Sequence, residues 1–78
     1  MKKVQIYSTP TCSYCHMAKD FFKKNNVSYE DFNVATDLEK RKEMVEKSDQ
    51  MGVPVILIDG EIIVGFDKAK ISRLLGVK

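Results

Sequence analysis

The chain has 78 residues, with 13 basic and 11 acidic side chains and a net charge of +2. A chain this short buries only roughly 60–65% of its unfolded surface, which excludes a second domain, a large cofactor cavity or a solenoid, and the near-balance of charge argues against nucleic-acid or membrane partners. No apolar run approaches the ~18 residues of a membrane span, and the start, Met1-Lys2-Lys3-Val4-Gln5-Ile6-Tyr7-Ser8, has a basic flank with no continuous apolar segment behind it, so no secretory leader is expected. The expectation is one cytoplasmic domain spanning residues 1–78, of ordinary globular composition: 44% hydrophobic and 31% charged.

In chain order, residues 3–7 alternate and read as a short strand. Ser8-Thr9-Pro10-Thr11 is a turn-rich loop. From Ser13 to Lys24 the apolar residues Tyr14, Met17, Ala18, Phe21 and Phe22 recur at helical spacing, and Asn25-Asn26 ends the helix. Residues 28–34 form a second strand with Tyr29, Phe32 and Val34. Thr36-Asp37-Leu38-Glu39 fits a capping box and predicts a charged helix to about Ser48. Its thin apolar stripe is Leu38, Met44 and Val45, and its Lys40-Arg41-Lys42 run, interleaved with Glu39, Glu43 and Glu46, reads as a solvated face. Met51-Gly52 is a loop. Residues 53–58 are apolar and β-branched and read as a buried strand. Asp59-Gly60 marks a two-residue hairpin, returning through Glu61 to Val64. Gly65-Phe66 is a turn, Asp67 caps a last helix with Ile71, Leu74 and Leu75 inward, and Gly76 ends it. The order β-α-β-α-β-β-α predicts an α/β fold: a four-stranded mixed sheet with helices on both faces, its first two strands parallel and its last two a hairpin.

The two cysteines, Cys12 and Cys15, stand between the first strand and the first helix. A bridge between them closes too short a loop to act as a useful staple. As a reactive dithiol the pair makes sense. Cys12 sits at the helix start, where unpaired backbone N–H groups and the positive dipole end favour a thiolate. Cys15 lies one turn on, on the same side, within reach of a mixed disulfide on Cys12, but deeper and less acidic. This assigns Cys12 as attacking nucleophile and Cys15 as resolving thiol. A bare C-x-x-C is weak evidence; one placed between strand and helix in a βαβ context is much stronger. The bland alternative is two small buried hydrophobes. Cys12-Ser13-Tyr14-Cys15-His16 also matches the c-type haem signature, but haem attachment goes with export and a helical fold. Structural zinc needs four ligands, and the two cysteines and the sole histidine supply three. No metal site is assigned, and His16 reads as a surface helix residue.

Val53-Pro54 is the second informative element. A proline opening a buried strand sits where no ladder N–H is needed. In its functional reading the bond is cis and beside the dithiol, turning the Val53 backbone outward to pair with an extended, peptide-like substrate. Phe21, Phe22, Phe32 and Tyr29 are expected in the core. Phe66 fits core packing and partner contact equally well.

Val4-Gln5-Ile6-Tyr7, Thr11-Cys12-Ser13-Tyr14-Cys15, Gly52-Val53-Pro54, Asp59-Gly60 and Gly65-Phe66-Asp67 together resemble the glutaredoxin family over essentially the whole chain. The resemblance implies a thioredoxin-like fold and glutathione-linked reduction of protein disulfides and glutathionylated thiols, with Cys12 as nucleophile and Cys15 as resolving residue. It implies a cis bond before Pro54, Tyr14 flanking a glutathione groove, Val53 pairing through its backbone with the glutathione cysteine, the Gly65-Phe66-Asp67 turn receiving the γ-glutamyl end, and Gln50 near the glycine carboxylate. It implies a monomer with no tightly bound cofactor and glutathione as reductant or cosubstrate.

Three departures stand out. Thr9 replaces the family's common Lys or Arg. Asp67-Lys68 reverses the second charge of a common acidic pair. Ser13 replaces the more common proline; some serine-containing relatives bridge an iron–sulfur cluster between two subunits with glutathione, which here needs thiols from outside the chain. The alternative reading is a redoxin similar to the NrdH type, reduced by thioredoxin reductase and feeding ribonucleotide reductase. Gly65-Phe66 matches that type, while Ile63 and Val64 lack its usual aromatic.

Overall fold

The computed structural model describes residues 3–50 and 52–76. Its elements are β1 (Val4–Ser8), α1 (Ser13–Lys24), β2 (Glu30–Asn33), α2 (Leu38–Ser48), β3 (Val55–Ile58), β4 (Glu61–Val64) and α3 (Lys68–Leu75). The sheet order is β2-β1-β3-β4, with β1 parallel to β2 and antiparallel to β3, and β3 antiparallel to β4. This is the expected four-stranded mixed sheet. The β3–β4 hairpin turns on Asp59 and Gly60, at φ 50° and 89°, the paired left-handed residues that a tight type I′ turn requires.

Strand alternation sorts the apolar residues into two cores. Val4 and Ile6 of β1, Ile56 and Ile58 of β3 and Ile63 of β4 face one way, against Ala18, Phe21 and Phe22 of α1 and Ile71 of α3. Tyr7, Val55 and Leu57 face the other way, against Met44 of α2 and Val34. Buried on both faces, β3 is apolar throughout, for the same reason that a two-sided strand loses its polar alternation. Phe21 and Phe22 are buried as expected. Tyr29 and Phe32 are only partly so, packed on Phe22 and Tyr7 with ring centroids 5.4 and 5.3 Å apart.

α1 and β4 begin and end where the sequence predicts, and other boundaries shift by a residue or two. β3 starts at Val55 because Pro54 has no N–H for the ladder. The Thr36 capping box does not form. Thr36 is used in a turn, its N–H and hydroxyl both donating to the Asn33 carbonyl, and Asp37 caps α2 by accepting the Lys40 N–H at 3.1 Å. Leu38, expected in the apolar stripe, is therefore the first helical residue and is 71% exposed. Met51 of the expected Met51-Gly52 loop lies outside the described residues.

Candidate functional site

Three distant segments leave the sheet from one row. Tyr7 of β1 pairs with Val55 of β3, which pairs with Val64 of β4. The Thr9–Cys12 loop, the Val53-Pro54 approach to β3 and the Gly65-Phe66-Asp67 turn therefore lie together at one end of three adjacent strands. The Val53-Pro54 bond is cis, and the Pro54 carbonyl accepts the Gly65 N–H at 2.8 Å, tying two of these segments directly. Gly65 has φ 81°, a conformation that side chains disfavour, so a substitution at that turn would strain the backbone.

Cys12 is the N-cap of α1. Its backbone is extended, its carbonyl accepts the His16 N–H, and its Sγ accepts the Cys15 N–H at 3.2 Å. A sulfur in this position takes the place of the usual serine or aspartate cap and receives a donor that the helix leaves open. The Cys12 N–H in turn donates to the Thr9 carbonyl at 3.3 Å. Cys12 is half-buried, whereas Cys15 is wholly buried. Burial pushes the Cys15 thiol up to about 12, and its hydrogen bond to Cys12 adds to the rise; the Thr9 backbone and the Lys19 charge pull the other way. His16 is exposed, and its ring donates to the Pro10 carbonyl at 2.8 Å, bracing the loop in front of the dithiol.

The other predicted residues divide. Thr9 hydrogen-bonds into the dithiol turn. Tyr14 stands 62% exposed on the first turn of α1. Phe66 is half-buried with its ring 6.0 Å from that of Phe21, so core packing accounts for much of it. Asp67 caps α3, accepting the Lys70 N–H at 3.2 Å. Gln50 is exposed beyond the end of α2 and hydrogen-bonds back to Ser48. A cavity of about 320 Å³ opens between α1 and the start of α3, lined by Met17, Asp20, Phe21, Lys24, Phe66 and Lys68.

Sequence reading missed one group. Lys19 of α1 is paired with Asp31 of β2 at 2.7 Å, and Asp31 also accepts from the buried Ser8 hydroxyl at 2.7 Å. Burial works against the Asp31 charge, but the bonds from Lys19 and Ser8 outweigh it and hold the carboxyl below its usual range. Lys19 lies four residues after Cys15, which sequence spacing makes visible. Asp31 becomes visible only once β2 is known to run parallel to β1, opposite Ile6.

A thiol capping a helix, with a second thiol buried one turn later, can attack a disulfide and then close on itself. Fold and site together define a thiol–disulfide oxidoreductase of thioredoxin-like fold. The sequence model of the glutaredoxin family matches residues 4–63, and the chain belongs to that family. It is 53% identical over 72 residues to a glutaredoxin-like 8.6 kDa protein of the rubredoxin operon of Clostridium pasteurianum, covering 92% of this chain and 96% of that one. It is 39% identical over 67 residues to glutaredoxin 3 of Escherichia coli K12, covering 86% of this chain and 81% of its relative. The crystal structure of the thioredoxin-like protein BC3987 superposes with a TM-score of 0.87 at 38% identity, over 92% of this chain and 99% of that one.

Proposed function

We propose that the chain is a single-domain, monomeric, cytoplasmic dithiol reductant linked to glutathione. Its substrates are protein disulfides and glutathionylated thiols. The observation that carries this reading is the pairing of a helix-capping Cys12 sulfur with a wholly buried Cys15. The Cys12 thiolate attacks a substrate disulfide, forms a mixed disulfide and expels a thiolate. On a glutathionylated protein the glutathionyl group moves to Cys12 and free glutathione removes it as glutathione disulfide. On a protein disulfide Cys15 attacks the Cys12 sulfur, the client leaves as dithiol, and an oxidised Cys12–Cys15 pair remains. Two glutathione molecules then restore the dithiol, and no metal takes part. Tyr14, Val53, Pro54, Gly65, Phe66 and Asp67 border the glutathione groove, with Thr9 at the dithiol end and Gln50 toward the glycine carboxylate.

A second reading rests on Asp67 and Lys68. The Asp67 carboxylate already serves as the α3 cap, and the next residue is a lysine in place of a second acid. One lost charge-assisted contact weakens glutathione binding by roughly 1.5–3 kcal/mol, or one to two decades. This favours a redoxin of the NrdH type, reduced by thioredoxin reductase and serving ribonucleotide reductase. The two readings separate on the rate at which the reduced protein deglutathionylates a small mixed disulfide, with glutathione as sole reductant. Saturation at millimolar glutathione is the expected result. A slow rate that climbs without saturating sinks the glutathione groove and leaves the reductase-dependent redoxin.

A further inference from the structure

Resolution by Cys15 poses a problem that the dithiol turn does not solve alone. The attacking species is a thiolate, yet Cys15 is wholly buried and its thiol is held far above neutrality by that burial. In the mixed disulfide Cys12 no longer carries a charge, and its sulfur is bonded to the client. The remaining help must come from neighbouring groups. Residues four apart on a helix face the same way with Cβ atoms ~5–6 Å apart, which puts Lys19 beside Cys15 on α1. The Lys19 side chain is only 17% exposed, and its ammonium is fixed at 2.7 Å from Asp31, itself anchored by Ser8. A lysine free in solvent has no fixed position. This one is tethered across from α1 to β2, one helical turn beyond Cys15.

On the reading that Cys15 is the resolving thiol, we propose that Lys19 is the positioning residue of the resolving step. Its tethered ammonium favours the buried Cys15 thiolate, and Asp31 both holds that ammonium in place and tempers its charge. The step is balanced. The Cys15 proton passes to solvent, the Cys15 sulfur attacks the Cys12 sulfur, the Cys12–client S–S bond breaks, and the client thiolate leaves with the electron pair. Cys15 is oxidised and the client sulfur reduced. Among the described residues, the ionisable groups bearing on the site are Cys12 at the N-cap of α1, His16 and Lys19 within α1 and Asp31 of β2; the loop before α1 adds the Thr9 backbone. The His16 ring is engaged with the Pro10 carbonyl at 2.8 Å.

The test is the two-phase release of nitrothiobenzoate from 5,5′-dithiobis(2-nitrobenzoate) by reduced protein, followed by stopped flow across pH. The first phase reports attack by Cys12, the second resolution by Cys15. Lys19→Met moves the second-phase pH midpoint up by roughly one unit, the scale of one nearby charge. Asp31→Asn moves it down, because the ammonium loses its counter-ion. Lys19→Arg keeps the original midpoint, and all three leave the first phase in place. Opposite signs for the two charge-removing variants cannot arise from loosened structure, which slows both without reversing direction. An unmoved second-phase midpoint, or shifts of the same sign in Lys19→Met and Asp31→Asn, overturns the inference. Absence of any second phase in the unsubstituted protein instead overturns the assignment of Cys15 beneath it, and the inference with it.

Discussion

Two identical side chains, Cys12 and Cys15, sit in surroundings that differ sharply. Cys12 ends the loop, receives an amide hydrogen and stays within reach of solvent, whereas Cys15 is sealed beneath it. Tyr7 and Glu43 show the same control by surroundings away from the dithiol. The buried Tyr7 hydroxyl donates to Glu43 at 2.5 Å, and Lys40 and Lys47 reach the same carboxylate at 3.4 and 3.3 Å. Burial, then Glu43, raises the Tyr7 hydroxyl, while the Tyr7 bond, with the two lysines, brings Glu43 down to about 2. A carboxyl whose folded value lies below its unfolded one stabilises the fold above the unfolded value and loses that contribution as pH falls. Stability should therefore decline between pH 4.5 and about 2, and Glu43→Gln should flatten that part of the profile while lowering stability at neutral pH. Chemical unfolding followed across pH checks this; an unchanged acid limb in the variant contradicts it.

At the scale of elements, helix starts organise the molecule. Each of the three helices among the described residues is capped by a side chain at its N-cap: Cys12 for α1, Asp37 for α2 and Asp67 for α3. Asp37→Ala should cost about 1 kcal/mol, lowering the melting temperature by roughly 4–8 °C in a domain of this size. Thr36→Ala, which removes only a 3.4 Å bond to Asn33, should change it much less; the reverse order in a calorimeter contradicts the assignment of the cap. The two residues were hard to separate from sequence because both are good caps and Glu39 completes the box only with Thr36. The tie is broken by the turn at Asn33, whose carbonyl accepts both the Thr36 and the Asp37 N–H. Such competition depends on backbone geometry that spacing does not encode. α1 was legible at both ends because its apolar period is strong and Asn25-Asn26 follows it.

At the scale of the whole molecule, the element succession and the mixed four-stranded sheet with helices on both faces were legible from apolar patterning and turn signals, and the dithiol from its position between strand and helix; the order β2-β1-β3-β4, with β1 paired to β3, was not. The assembly around it was less legible. Which loops meet depends on register, and the row Tyr7–Val55–Val64 is what brings three separate segments to one end of the sheet. The Lys19–Asp31 pair stayed hidden for the same reason. Phe66 could not be assigned until its ring was seen against Phe21. The central claim is that one thiol attacks and the other resolves. It is tested most directly by the turnover of single-cysteine variants on two substrates, a glutathionylated peptide and a protein disulfide, with glutathione as reductant. Cys12→Ser should lose both activities. Cys15→Ser should keep the first and lose the second. Turnover by Cys12→Ser, or equal loss of both activities in Cys15→Ser, would contradict the account.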